Sequence, residues 1–139
     1  MLTRDLAVPN LDARGFLYNK PVRFKRTGTN ILASFTTFFL FSILNLNQDS
    51  IGGGLVFVIS PEEETIGHVG GYLGISADVI AVEFNTLMDV EFKDINGNHL
   101  GVDLDSMVST KFADLELVNV DLRSDDQVNS WVEFNGSTQ

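Results

Sequence analysis

The sequence predicts an all-β domain, an antiparallel sandwich or barrel, from three observations. Apolar and β-branched residues alternate with period two in several short runs. Clusters of Gly, Asn, Asp, Ser and Pro, the residues that turns require, separate those runs. No apolar stripe of helical spacing runs longer than two turns. The length, 139 residues, is that of one ordinary domain.

Each element follows from its residues. Phe35, Thr37, Phe39, Phe41 and Ile43 alternate with Ser34, Thr36, Phe38, Leu40 and Ser42, a long strand with aromatic and β-branched residues on both faces. Asn45, Asn47, Asp49, Ser50 and three successive glycines then make a turn. Leu55–Ile59 reads as a buried strand stopped by Ser60-Pro61. A loop with two glycine clusters follows, with Glu62, Glu63 and Glu64 in a solvated turn and His68 in solvent. Val79–Asn85 and Leu100–Leu104 are strands, and Leu115–Leu122 alternates Leu and Val with polar residues as a further strand would. Trp131–Phe134 is a last strand with Trp131 in the core, and Asn135-Gly136 is a hairpin-type turn.

Composition excludes several classes of function. With no cysteine, a disulfide scaffold and a Cys-based zinc site are impossible. A formal charge of −10 repels phosphate, so no nucleic-acid partner is expected. Disorder is excluded by a hydrophobic content of 44%, including 11 Phe. Basic residues gather at the start (Arg4, Arg14, Lys20, Arg23, Lys25, Arg26), but Pro9, Gly15 and Pro21 would break an amphipathic anchor helix there. Solvated strand edges are the simpler expectation. Met1–Asp5 lacks the basic-then-apolar order of a signal peptide, and Phe35–Leu44 is too short to span a bilayer. The compartment is therefore unknown. Asn135-Gly136-Ser137 is a glycosylation sequon, meaningful only on the secretory route.

The chemistry gathers between residues 83 and 109. Alternation puts Val79, Ala81, Glu83 and Asn85 on one strand face and Ile80, Val82 and Phe84 on the other. If the apolar set faces the core, Glu83 and Asn85 emerge together at the strand's end. The returning strand turns Leu100, Val102 and Leu104 inward and His99, Gly101, Asp103 and Asp105 the opposite way. Between them, Thr86 to Asn98 forms a long connection carrying Asp89, Glu91 and Asp94, and loops of that length are usually functional or mobile. Carboxylates and carbonyls suit calcium, and a histidine beside carboxylates suits manganese or another first-row ion. A plain acidic surface loop fits the same residues.

Several motifs resemble a known family. Ala81-Val82-Glu83-Phe84-Asn85-Thr86 and Asn98-His99-Leu100-Gly101-Val102-Asp103-Leu104-Asp105-Ser106 look like the metal-site segment of legume-type (L-type) lectins. Ala33–Phe39, Gly54–Pro61, Gly70–Gly74 and Trp131–Gly136 match that family's other signatures in order. The wording is closest to the extracellular lectin domains of plant lectin receptor-like kinases. The resemblance implies a concanavalin-like jelly-roll β-sandwich, here a single partial domain over residues 1–139 that lacks strands at both ends.

It also implies a carbohydrate-binding site organised by calcium and manganese. By position, the transition metal would take Glu83, Asn85, Asp94 and His99, with Ser109 through water. Calcium would take Asn85, the Leu87 carbonyl, Asp89 and Asp94. The sugar site would use Gly53, Gly71, Leu87 and Asp89. The implied partner is a glycan or glycoprotein, a homodimer is compatible, and the family is extracellular or associated with the plasma membrane.

Four departures alter the implied site, of which Asp89 restores charge for calcium while removing an amide donor to the sugar. Asn85 stands where the family has a bridging Asp, and Asp89 where it usually has Asn. Gly53 stands where it has a sugar-binding Asp, and Leu87 replaces the usual aromatic. An interaction module that keeps the sandwich but not the sugar is the alternative. A glycoside hydrolase of the same sandwich class would need two facing carboxyl groups, yet Asn85, not a carboxylate, follows Glu83 on its face. Ser60, Ser106 and Ser109 lack any nucleophile motif. No enzyme activity is expected.

Overall fold

The computed structural model describes residues 13–18, 20–44, 52–60, 73–74, 79–104, 106 and 108–137. Six strands lie within them: β1 (Phe35–Phe41), β2 (Gly54–Ile59), β3 (Ile80–Asn85), β4 (His99–Leu104), β5 (Lys111–Asp114) and β6 (Val128–Phe134). Every strand pair is antiparallel. The chain forms two compact units, Leu17–Ser42 with Gln127–Gln139, and Met1–Phe16 with Ile43–Asp126. The turn expected at residues 45–50, the Glu62–Glu64 turn, His68 and Gly71 all lie outside the described residues.

In the smaller unit, β1 pairs with β6 from Phe35 opposite Phe134 to Phe41 opposite Val128. Alternation works here as expected, with Phe35, Thr37, Phe39 and Phe41 half-buried and the residues between them exposed. Phe24, Phe35 and Phe134 cluster with ring centroids 5.0–6.2 Å apart. Trp131 corrects its expected core position. It is 64% exposed and leans on Phe38 across the pair, centroids 4.7 Å apart. Among the described residues β6 pairs with β1. Asn135 Oδ1 accepts the Ser137 N–H and hydroxyl in a local turn.

The larger unit holds a four-stranded meander, β2-β3-β4-β5. Its register sets Asn85 between Gly54 and His99, and Glu83 between Val56 and Gly101. Gly54 opens β2 at φ 135, and a Cβ there would strike the Phe84 carbonyl across the ladder. Val79 and Ala81 are buried against Val56 and Val58, forming a small apolar core.

Beyond that core the expected polarity of the sheet is reversed. On β4 the buried residues are His99, Gly101 and Asp103, while Leu100 and Val102 are half-buried and Leu104 is exposed. Glu83 and Asn85 are likewise buried, not emergent. The cause is local: the 86–98 connection and Ser109 close over this face, so its polar groups find partners inside the protein.

Leu115–Leu122 is not a strand. The last strand of the sheet is β5, which precedes it, and a 3-10 turn spans Glu116–Val118, ended by Asn119 in the left-handed region. The Asp114 carboxylate accepts the Glu116 N–H, and the Leu115 carbonyl accepts both the Val118 and Val120 N–H groups. Leu115 and Leu122 are buried, whereas Leu117 and Val118 are exposed. Asn98, itself 2% exposed, pins the segment. Its Nδ2 donates to the Val120 carbonyl at 2.8 Å and its Oδ1 accepts the Leu122 N–H at 2.9 Å.

Truncating Asn98 would leave two backbone groups without partners, each costing about 1–3 kcal/mol when buried. Asn98→Ala is therefore expected to lower unfolding stability by about 2 kcal/mol or more, read by urea denaturation of the full chain. A loss within a few tenths of wild type would show that the segment is held by apolar burial alone.

Candidate functional site

The strand face that β3 and β4 share carries Glu83, Asn85, His99, Gly101 and Asp103, and the register brings them side by side. Glu83, Asn85, His99 and Asp103 are all at most 5% exposed. Gly101 is required by close approach: a Cβ there would meet the Ser109 hydroxyl, and would lie 3.4 Å from Glu83 Oε2. Side-chain volume at residue 101 would therefore separate Ser109 from the carboxylates.

Hydrogen-bond chemistry fixes the orientation of this cluster. His99 Nδ1 lies 2.7 Å from the Asn96 carbonyl, which can only accept, so Nδ1 carries the hydrogen. In the neutral tautomer with hydrogen on Nδ1, Nε2 carries the lone pair, and Asn85 Nδ2 lies 3.2 Å from it. The same Nδ2 donates to Glu83 Oε2 at 3.1 Å. The amide group thus spends its two hydrogens on two acceptors. Asp94 Oδ1 stands 3.5 Å from His99 Nε2, while Asp94 Oδ2 accepts the Asp89 N–H at 2.8 Å. Asp89 Oδ1 in turn accepts the Glu91 N–H at 3.0 Å.

Asp103 belongs to this cluster and was missed as a site residue. Its Oδ1 accepts the Ser109 hydroxyl at 2.8 Å. Asp103 Oδ2 and Glu83 Oε1 are buried without hydrogen-bond partners. Two facing acceptors of this kind are answered by one proton held between the carboxyls. Burial, and next the charge of Asp103, push the Glu83 carboxyl from 4.5 up to about 8. Burial also raises Asp103, against the hydrogen bond from Ser109. The signal was in the sequence, since Asp103 alternates in phase with His99 and Gly101.

Of the residues expected at a sugar site, Gly53, Leu87 and Asp89 are described. The Gly52 carbonyl accepts the Thr86 hydroxyl at 2.7 Å, and the Gly53 carbonyl accepts the Thr86 N–H at 3.0 Å. Gly53 is thus tied to the start of the connection that carries Leu87 and Asp89. Among the described residues a cleft of about 130 Å³, lined by Phe92, Asp94, Ile95, His99, Ser109 and Phe112, is below the ~300 Å³ of ordinary ligand pockets. It is not a sugar pocket by itself.

Fit to cations differs across the cluster. Among the described residues, no three Asp, Glu or His side chains converge as an ion would need. The electron pairs of Glu83 Oε2 and His99 Nε2 are answered by amide hydrogens, and an amide nitrogen offers no pair to a metal. This part does not fit a transition-metal ion. Asp89 and Asp94 offer oxygen donors alone, the ligand type calcium takes, and Asp94 Oδ2 and Asp89 Oδ1 accept the Asp89 and Glu91 N–H groups.

Comparison with known proteins places these observations. Residues 5–139 match the family model described as the legume lectin domain. The chain is 54% identical to L-type lectin-domain containing receptor kinase VIII.2 of Arabidopsis thaliana, covering 98% of this chain and 20% of that protein. Receptor kinase VIII.1 of the same plant is 52% identical, covering 99% and 20%. Among solved structures, basic winged bean lectin with Tn-antigen superposes with a TM-score of 0.75 at 33% identity, covering 87% of this chain and 51% of that one. Peanut lectin with a 9-residue peptide gives 0.72 at 31%, covering 86% and 53%. The chain spans about a fifth of these receptor kinases and about half of these lectins. Its fold class is theirs, the antiparallel jelly-roll β-sandwich.

The raised Glu83 carboxyl has a consequence for stability. Its proton is retained in the fold and released on unfolding between about pH 4.5 and pH 8. Stability from this group is fully present below about 4.5 and is lost as pH rises through 8. With chelator present, the unfolding midpoint should fall between about pH 5 and about pH 8.5. Glu83→Gln should flatten that fall, and equal slopes for both proteins would refute the assignment.

Proposed function

The chain belongs to the legume lectin domain family, and from that premise we propose that it is a glycan-binding module with weakened affinity. Its partner is a glycan or glycoprotein displayed outside the cell, as befits kin of receptor kinases. Among the described residues no helix is long and apolar enough to cross a membrane. Binding rather than turnover is the chemistry of the site, since its two neighbouring carboxyls, Glu83 and Asp103, are both buried, at 4% and 1% exposed, and present no open face to a substrate.

The observation that carries this reading is the tether from Gly52 and Gly53 to Thr86. It sets Gly52 and Gly53 beside the connection from which Leu87 and Asp89 would meet a sugar. Asp89 and Asp94, with the Leu87 carbonyl, are the residues that would hold calcium. When bound, calcium would neutralise the carboxylates and order the connection. The weakness has two chemical causes. Gly53 offers no carboxylate to sugar hydroxyls, and Leu87 gives a pyranose face an aliphatic surface in place of a ring.

A second reading is favoured by the same Gly53: an interaction module that retains the fold and not the sugar. A glycan array in calcium separates the two. Weak binding is expected for the wild-type chain. Gly53→Asp should strengthen it by about tenfold or more, the worth of one charge-assisted hydrogen bond. An array that stays blank for both proteins would leave the interaction module as the function.

A further inference from the structure

Asn85 is buried at the junction of three elements: β2 on one side through Gly54, β4 on the other through His99, and Glu83 two residues earlier on its own strand. The orientation of its amide is not interchangeable. With the carboxyl proton held on the Asp103 side and the imidazole neutral, reversing it would press Oδ1 against Glu83 Oε2 and the His99 Nε2 lone pair, three electron-rich atoms with no hydrogen between them. The imidazole cannot relieve this by changing tautomer, because its other nitrogen is committed to the Asn96 carbonyl at 2.7 Å. Both N–H groups of Asn85 therefore point at a carboxyl oxygen and an imidazole nitrogen, the donor types a first-row divalent cation takes.

We propose that Asn85 makes the Glu83–His99 cluster independent of transition-metal ions. Its amide cross-links the carboxyl and the neutral imidazole by donating one hydrogen to each, which holds the cluster and occupies the single electron pair of His99 Nε2 that an ion would need. Asn85→Asp removes both donors and adds acceptor oxygens. The electron pairs of Glu83 and His99 are then unanswered in a buried setting, a deficit that a divalent ion such as manganese relieves. The difference between a metal-free and a metal-requiring cluster is one amide nitrogen.

Physical cost supports this division. A buried carboxylate and a buried imidazole nitrogen each need a partner, and unsatisfied groups of this kind cost about 1–3 kcal/mol or more. A cation supplies that partner only when the chain is loaded. An amide supplies it at all times, at the expense of the charge that would have attracted the ion. Asp94, the remaining carboxylate near His99, already gives Oδ2 to the Asp89 N–H and belongs with the oxygen donors of the connection.

The inference deepens the cation part of the proposed function and leaves its sugar part separate. The test is manganese titration of the full chain by electron paramagnetic resonance, with calcium in excess so that Asp89 and Asp94 do not report. The wild-type chain should leave the signal of aqueous manganese undiminished, and manganese or chelator should not move its unfolding midpoint. Asn85→Asp should bind manganese at least about tenfold more tightly, the order of change that a ligand's supporting partner imposes. Uptake by the wild-type chain equal to that of Asn85→Asp would overturn the proposal.

A wild-type chain that takes up manganese stoichiometrically would overturn it even if Asn85→Asp fails to fold. Asn85→Leu, similar in size and without hydrogens to donate, provides a second arm. It should lower the unfolding midpoint equally with and without manganese, and an unchanged midpoint would show that the amide cross-links nothing. A blank glycan array would remove the sugar reading and leave each of these outcomes intact.

Discussion

From the Asn96 carbonyl to the Glu83 carboxylate runs a buried chain of hydrogen bonds in which each direction forces the next. The carbonyl accepts, so His99 Nδ1 donates; Nε2 must then accept, so Asn85 donates; its second hydrogen goes to Glu83. Away from water no link can be exchanged for solvent, and a broken link leaves a desolvated group unpaired. The chain runs from the connection into β4, across to β3, and along β3. It therefore fastens the loop to the sheet through the Asn96 carbonyl, and links two strands to each other through side chains.

The neighbouring features accommodate that constraint. Gly101 leaves room for Ser109 to reach Asp103, and Ser109 follows β4 closely enough to close over the same face. Asn98 begins where the loop ends and captures the backbone at Val120 and Leu122, so the segment after β5 is held by the residue that precedes β4. On the other flank, Thr86 is held by the carbonyls of Gly52 and Gly53. The connection is anchored at both ends by side chains of the residues that bound it.

Where the sequence was legible, hydropathy and structure obeyed the same rule. The strands β1, β2, β3, β4 and β6 fall where alternation places them, and family wording located the cluster from Glu83 to His99. Illegibility came from two physical sources. Alternation assigns polar residues to solvent, but it does not count partners, so the paired face of β4 was turned the wrong way and Asp103 was left out. Leu115–Leu122 has the period of a strand, but Asn98 and Asp114 satisfy its backbone locally and leave it no ladder to join. Both errors arise from side chains that hydrogen-bond to groups distant in sequence or to the main chain. Asn85 is the converse case: its position was recognisable, while the orientation of its amide followed only from the groups around it.

Trp131, the single tryptophan of the chain, sits half in solvent against Phe38 on the β1–β6 pair. The polar cluster lies in the other compact unit. Indole emission consequently reports on the smaller unit and is blind to whether the loop is fastened. The β-sheet signal in circular dichroism is dominated by the larger unit. The molecule thus carries a built-in reporter in each unit, and the coincidence or divergence of their transitions measures directly whether its two units share one cooperative unfolding event.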